Sequence, residues 1–266
     1  MLLAEIHGKY DIAVRDHEDY LTSTVFGHLR YVVPGPFWRD FLSRAKTVPI
    51  DGAERSLVAI VGAEHELEQY ETLDVHFWPK VFGLGEPEMA LCFSGGGQQP
   101  LVVLVEVKMW SFKSGHGEYD QLMRYLRIAD AIDRLQPPAP RDAAVVVVYL
   151  TPREAFSEVQ ESLMEVGDTE QDRRRLFRIQ WQDMIEAIDS VLLLESQFHQ
   201  RILVDVRDFL KVRQLEYFRG FRTLPSALHL SEGVGSFYSP KGVFDGFHGG
   251  SSLNNVAVVK AEWSNA

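Results

Sequence analysis

The stretch Leu101-Val-Val-Leu-Val-Glu-Val-Lys108 decides how this chain is read. Its apolar, β-branched run marks a strand buried inside a sheet. The run then ends in a carboxylate and an amine. Glu106 and Lys108 stand two residues apart, so on a strand they point to the same face. Placing both charges at the end of a buried strand is costly unless they pair or bind something. A strand made only for packing needs neither, and the charges call for a separate reason.

Immediately upstream, Glu86-Pro87-Glu88 leads into a short apolar strand at 89–93, and Ser94-Gly-Gly-Gly-Gln-Gln-Pro100 is a loop with strong turn chemistry. Segments 88–93 and 101–108 therefore read as an antiparallel hairpin. Such pairing brings Glu88, at the start of one strand, to Glu106, at the end of the other. Two carboxylates at one sheet end suit a hard divalent cation such as Mg²⁺. Lys108 then lies beside an attacking water or a phosphate oxygen. A metal ion with a neighbouring ammonium is recurring equipment for phosphodiester hydrolysis, because it lowers the pKa of water and clamps developing negative charge.

Further out, 16–30 reads as a helix with Leu21, Val25, Phe26 and Leu29 as its apolar stripe. Pro36 opens a second helix over 37–45. Strand character is expected at 56–61 and again at 72–81. Beyond the central stretch, 119–134 is a helix with Leu122, Tyr125, Leu126, Ala129 and Ile132 on one face. A strand buried on both faces follows at 143–150, then a helix to about 165, a charged connector over 167–175, a short strand at 176–181 and two helices up to 218. The order predicts an α/β fold, a mixed sheet with helices on both faces. Residues 1–224 are expected to form one domain, followed by a Gly/Ser-rich tail over 225–266 with a strand at 256–259.

Composition narrows the function classes. The chain has 266 residues, 45% hydrophobic and 24% charged, which suits a globular protein and excludes collagen, coiled coil and wholesale disorder. The apolar runs are too short to span a bilayer. No basic segment followed by an apolar core opens the chain, so a soluble, cytoplasmic protein without membrane partners is expected. Cys92 is the single cysteine, which rules out in-chain disulfides and cysteine-based zinc sites; a small buried side chain is expected there. The net charge of −11 counts against whole-surface binding of nucleic acid but is compatible with a local basic groove beside an acidic metal site.

Pro87-Glu88, seventeen residues, then Glu106-Val-Lys108 resembles the PD-(D/E)XK nuclease superfamily. Gln121-Leu-Met-Arg-Tyr125 resembles the QxxxY helix motif of its RecB-type exonuclease branch, and Gln121 and Tyr125 fall one helical turn apart. Val145-Val-Val-Val-Tyr-Leu-Thr-Pro152 is similar to the family's following core strand. Glu18 matches the helix glutamate that many members use as an additional metal ligand. Glu106-Val-Lys108 is the only acid-x-lysine triplet in the chain. The resemblance covers about residues 16–182. It implies a restriction-endonuclease-like fold and Mg²⁺-dependent hydrolysis of DNA, with Mn²⁺ as a substitute, in phage defence, restriction or repair. Glu88, Glu106, Lys108, Gln121 and Tyr125 would be the catalytic set, and Glu18, Glu88 and Glu106 the metal ligands. DNA would be the partner, and a homo-oligomer is compatible with this.

One departure stands out: Glu88 replaces the aspartate usual in the first motif, and Asp74 is the fallback. Competing readings exist for each residue. Glu106 and Lys108 make sense as a strand-end ion pair, Glu18 as a first-turn acid favoured by the helix dipole, and Arg173-Arg-Arg175 as a solvated face. Lys113, His116, Arg124 and Arg127 are candidates to meet phosphates. The alternative function is a catalytically impaired nuclease-fold protein acting as a nucleic-acid-binding or scaffold module. An RNA- or nucleotide-directed hydrolase is a third.

Overall fold

Strands β2 (Met89–Ser94) and β3 (Leu101–Val107) pair antiparallel with Met89 opposite Val105, as the hairpin reading requires. The computed structural model describes residues 18–109, 111–166 and 169–216. Strand β1 (Thr72–Phe77) adds antiparallel to β2. On the other side of β3, β4 (Ala144–Thr151) and β5 (Leu176–Gln180) run parallel to it. The five strands form one mixed sheet in the order β1-β2-β3-β4-β5. Strand β3 lies at its centre, which explains why its side chains read as a continuous apolar run.

Eight α-helices occur among the described residues: α1 (Glu18–Leu29), α2 (Pro36–Ser43), α3 (Leu57–Val61), α4 (Gln121–Asp130), α5 (Phe156–Val166), α6 (Glu170–Arg175), α7 (Trp181–Val191) and α8 (Gln197–Val212). The pleat divides the core in two. Leu101, Val103, Val105 and Val107 pack with Phe26 of α1, Trp38 of α2, Trp181 of α7 and Phe209 of α8. Val102 and Leu104 pack on the opposite face with Leu122 and Tyr125 of α4 and Val159 of α5. The chain is thus α/β with helices on both faces of a mixed sheet.

The expected stripe on α1 is real: Leu21, Val25, Phe26 and Leu29 are all fully buried. Two local expectations change. Segment 56–61 is helix rather than strand: Ser56 caps it by accepting from Ala59 N at 3.2 Å, and Gly62 ends it at φ 72°. Five apolar residues are too few for periodicity to separate the two states, so the caps decide. Segment 167–175, expected as a connector, contains α6, started by Thr169 accepting from Asp172 N. The expected 119–134 helix is α4 followed by a 3₁₀ turn at Ile132–Arg134. The 225–266 tail, its 256–259 strand and the first fifteen residues lie outside the described residues. No helix among the described residues is long and apolar enough to cross a membrane.

Candidate active site

The registers of β2 and β3 make Glu88 and Glu106 the next pair beyond Met89 and Val105, at one end of the sheet. Glu106 continues the row across β4 and β5, opposite Tyr149 and then Arg178. Asp74 sits opposite Cys92, four residues further along the ladder. At about 3.3 Å per residue that is roughly 13 Å from the level of Glu88. The fallback acid is therefore remote, and Glu88 faces Glu106.

Glu106 is 1% exposed. Its Oε1 accepts from Lys108 Nζ at 2.7 Å and from Gln121 Nε2 at 2.6 Å. Its Oε2 is buried and has no hydrogen-bond partner. Gln121 Nε2 also donates to the Tyr125 hydroxyl at 3.0 Å, and that hydroxyl donates to Glu86 O at 3.1 Å. Gln121 and Tyr125, brought together by one turn of α4, thus brace the oxygen of Glu106 that Lys108 also holds. Burial pushes the Glu106 carboxyl up, and the Lys108 ammonium offsets only part of this. Burial works against the Lys108 charge, but the carboxylates of Glu106 and Glu18 outweigh it and hold that amine above its ordinary value.

Glu88 is pushed up to about 7, first by burial and then by the negative charges of Glu106 and Asp19. A hydrogen bond from Trp78 Nε1, 3.2 Å away, pulls the other way. Asp19, in the first turn of α1, is the acid that sequence reasoning missed. The signal was present, since Glu18 and Asp19 are adjacent, but helical phase relative to a distant strand cannot be read from sequence. Glu18 is otherwise occupied. Its Oε1 accepts from Met109 N at 3.0 Å and Ser111 Oγ at 2.6 Å, and its Oε2 lies 3.7 Å from Lys108 Nζ. Burial alone would raise Glu18, yet these bonds and the Lys108 charge lower it. Its oxygens tie α1 to the exit of β3. Among the described residues, no group of three or more His, Cys, Asp or Glu side chains is gathered as a metal site. Glu88 and Glu106 are the two that could share an ion.

No known family model, curated protein or solved structure matches this chain.

The surrounding cations are largely engaged. The Lys113 side chain is 6% exposed and pairs with Asp120 at 2.5 Å, which engages it where a phosphate contact was expected. Asp120 also caps α4 through Leu122 N and Met123 N, and accepts from Ser162 Oγ. His116 Nδ1 lies 3.6 Å from Glu165, and Arg127 donates to Glu118 O. Arg173 donates to Pro49 O, while Arg174 and Arg175 pair with Glu170 and Asp130, so this run serves the fold's surface. Cys92 is buried, and its thiol is pushed up to about 12, first by burial.

Proposed function

We propose that this chain is a Mg²⁺-dependent nuclease of PD-(D/E)XK type, with a restriction-endonuclease-like sheet, that hydrolyses DNA phosphodiester bonds. One observation carries the reading: Glu106 presents a buried carboxylate oxygen without a donor, beside a second carboxylate, Glu88, whose charge its surroundings resist. A buried acceptor left unsatisfied costs free energy. A hard cation between Glu88 and Glu106 would satisfy that oxygen and relieve the like-charge repulsion, so the donor set fits Mg²⁺ or Mn²⁺. When bound, such an ion supplies a lowered water pKa and neutralises phosphoryl charge.

The chain's own residues account for the remainder. Gln121 and Tyr125 fix the rotamer of Glu106. Lys108, kept charged by Glu106 and Glu18, offers its ammonium to the phosphoryl oxygens as negative charge grows there. Glu18 holds Met109 N and so sets the path of the backbone leaving Lys108.

The test is DNA cleavage and Mn²⁺ titration of wild type, Lys108→Ala and Glu106→Ala. Lys108→Ala is expected to lower cleavage by roughly 100-fold or more while keeping Mn²⁺ binding, and Glu106→Ala to lose both. Equal cleavage by wild type and Lys108→Ala, or none by wild type with either metal, refutes the proposal. The second reading, a nuclease-fold binding module without catalysis, draws on Glu18 being satisfied by Met109 and Ser111 rather than turned to a metal. It predicts no Mn²⁺ binding by wild type.

A further inference from the structure

The loops between β1 and β2 (78–88) and between β3 and α4 (108–120) both leave the sheet at the end where Glu88 and Glu106 meet. They carry most of the exposed aromatic surface among the described residues: Trp78, Phe82, Phe112 and Tyr119 are 38%, 96%, 63% and 76% exposed. Phe82 O accepts from Arg134, past the far end of α4, so Trp78, bonded to Glu88, and Phe112, under Arg153, are the rings that matter here; large aromatics left in water mark binding surfaces.

Trp78 is the most constrained of these. Its φ is 49°, in the left-handed region that bulky side chains avoid, and Pro79 follows it. Its amide donates to Glu88 O at 3.0 Å and its indole N–H to Glu88 Oε2 at 3.2 Å. Such strain concentrates at ligand clamps and active sites. Across the site, the Arg153 guanidinium sits 3.7 Å over the Phe112 ring and fixes it.

Charge points to the kind of polymer. Duplex DNA is held mainly by cations that neutralise its phosphates. Several cations near the site are paired, Lys108 with Glu106 at 2.7 Å, Lys113 with Asp120 at 2.5 Å and Arg153 with Glu158 at 3.4 Å, whereas the buried Nε of Arg124, beside Tyr125, has no hydrogen-bond partner. The whole chain carries −11. A single strand releases fewer counterions per phosphate contact than a duplex, and aromatic rings grip its unpaired bases by stacking. In a duplex those base faces are hidden.

We infer that Trp78 and Phe112 are base-stacking platforms on either side of the Glu88–Glu106 pair, and that they select single-stranded DNA over duplex. The choice of polymer rests on the nuclease reading. Binding of fluorescein-labelled oligothymidylate and of a duplex of equal length is measured by fluorescence anisotropy in EDTA, on the full chain. Single strand is expected to bind more tightly. Trp78→Ala and Phe112→Ala should each weaken single-strand binding by roughly tenfold and leave duplex binding unchanged, and Trp78→Phe should retain most of the affinity. Should Trp78→Ala lower the melting temperature, Phe112→Ala, at an exposed loop position, carries the test alone. Equal affinity for the two DNA forms, or variants that bind single strand like wild type, overturns the inference. Cleavage is measured separately with Mg²⁺. A wild type that cleaves but binds single strand and duplex equally refutes the stacking role alone, and selective binding without cleavage refutes the nuclease reading alone.

Discussion

Replacing Glu88 with glutamine should stabilise the protein increasingly as pH rises above about 4.5, with the full gain above about 7. Glu88 ionises in the folded chain at about 7 against an ordinary 4.5. At about 1.4 kcal/mol per pH unit this corresponds to roughly 3 kcal/mol of resistance to its charge. Glu88 keeps partial solvent access, and screening reduces the usable figure to roughly 1–2 kcal/mol. The sign follows from the raised value. Below 4.5 the carboxyl is protonated in both folded and unfolded chains and costs nothing. Between 4.5 and about 7 the unfolded chain releases its proton first, so folding loses stability as pH rises. Above 7 the full cost is present. Glu88→Gln removes the charge and keeps the shape. Urea denaturation in EDTA should show a gain of roughly 1–2 kcal/mol at pH 8.5 and little change at pH 4. Mn²⁺ should then stabilise wild type at pH 8.5 more than the variant, because only wild type holds the repulsion that a cation relieves. No gain at pH 8.5, or an equal gain at both pH values, would show that Glu88 does not store this repulsion.

Two other perturbations follow from the same framework. Asp120→Ala strips a buried partner from Lys113 and the cap from α4, and should destabilise by roughly 3–5 kcal/mol in urea denaturation; a loss under about 1 kcal/mol would mean the pair behaves as a surface one. Gln121→Leu removes the donor that holds Glu106 Oε1. It should weaken Mn²⁺ binding by roughly 10–100-fold in a calorimetric titration with the fold retained, and unchanged affinity would refute the bracing role of α4.

The hairpin was legible because three signals agree: an apolar run, a Gly-rich turn and a second apolar run. Helix α1 was legible for a similar reason, its stripe of Leu21, Val25, Phe26 and Leu29 having one period throughout. The helix at 57–61 was not, since a short apolar run fits either state and only the Ser56 cap and Gly62 exit separate them. Lys113 illustrates a different limit. A lysine in a polar loop looks available to a phosphate, and its burial against Asp120 depends on α5 delivering Ser162 to the same carboxylate.

The order of the long elements, the central position of 101–107 and the adjacency of Glu88 and Glu106 follow from the sequence by itself, because strand pairing and side-chain alternation are local, periodic properties. Only the tertiary structure decided which acid of α1 turns toward Glu88. A helix packed against a sheet is fixed in rotation by its buried stripe. That rotation sends Glu18 to Met109 and Ser111, and leaves Asp19 near enough for its charge to raise Glu88. The orphan oxygen of Glu106 is likewise a tertiary fact. Lys108, Gln121 and burial from both neighbouring strands converge on one carboxylate, satisfy one oxygen and leave the other without a donor.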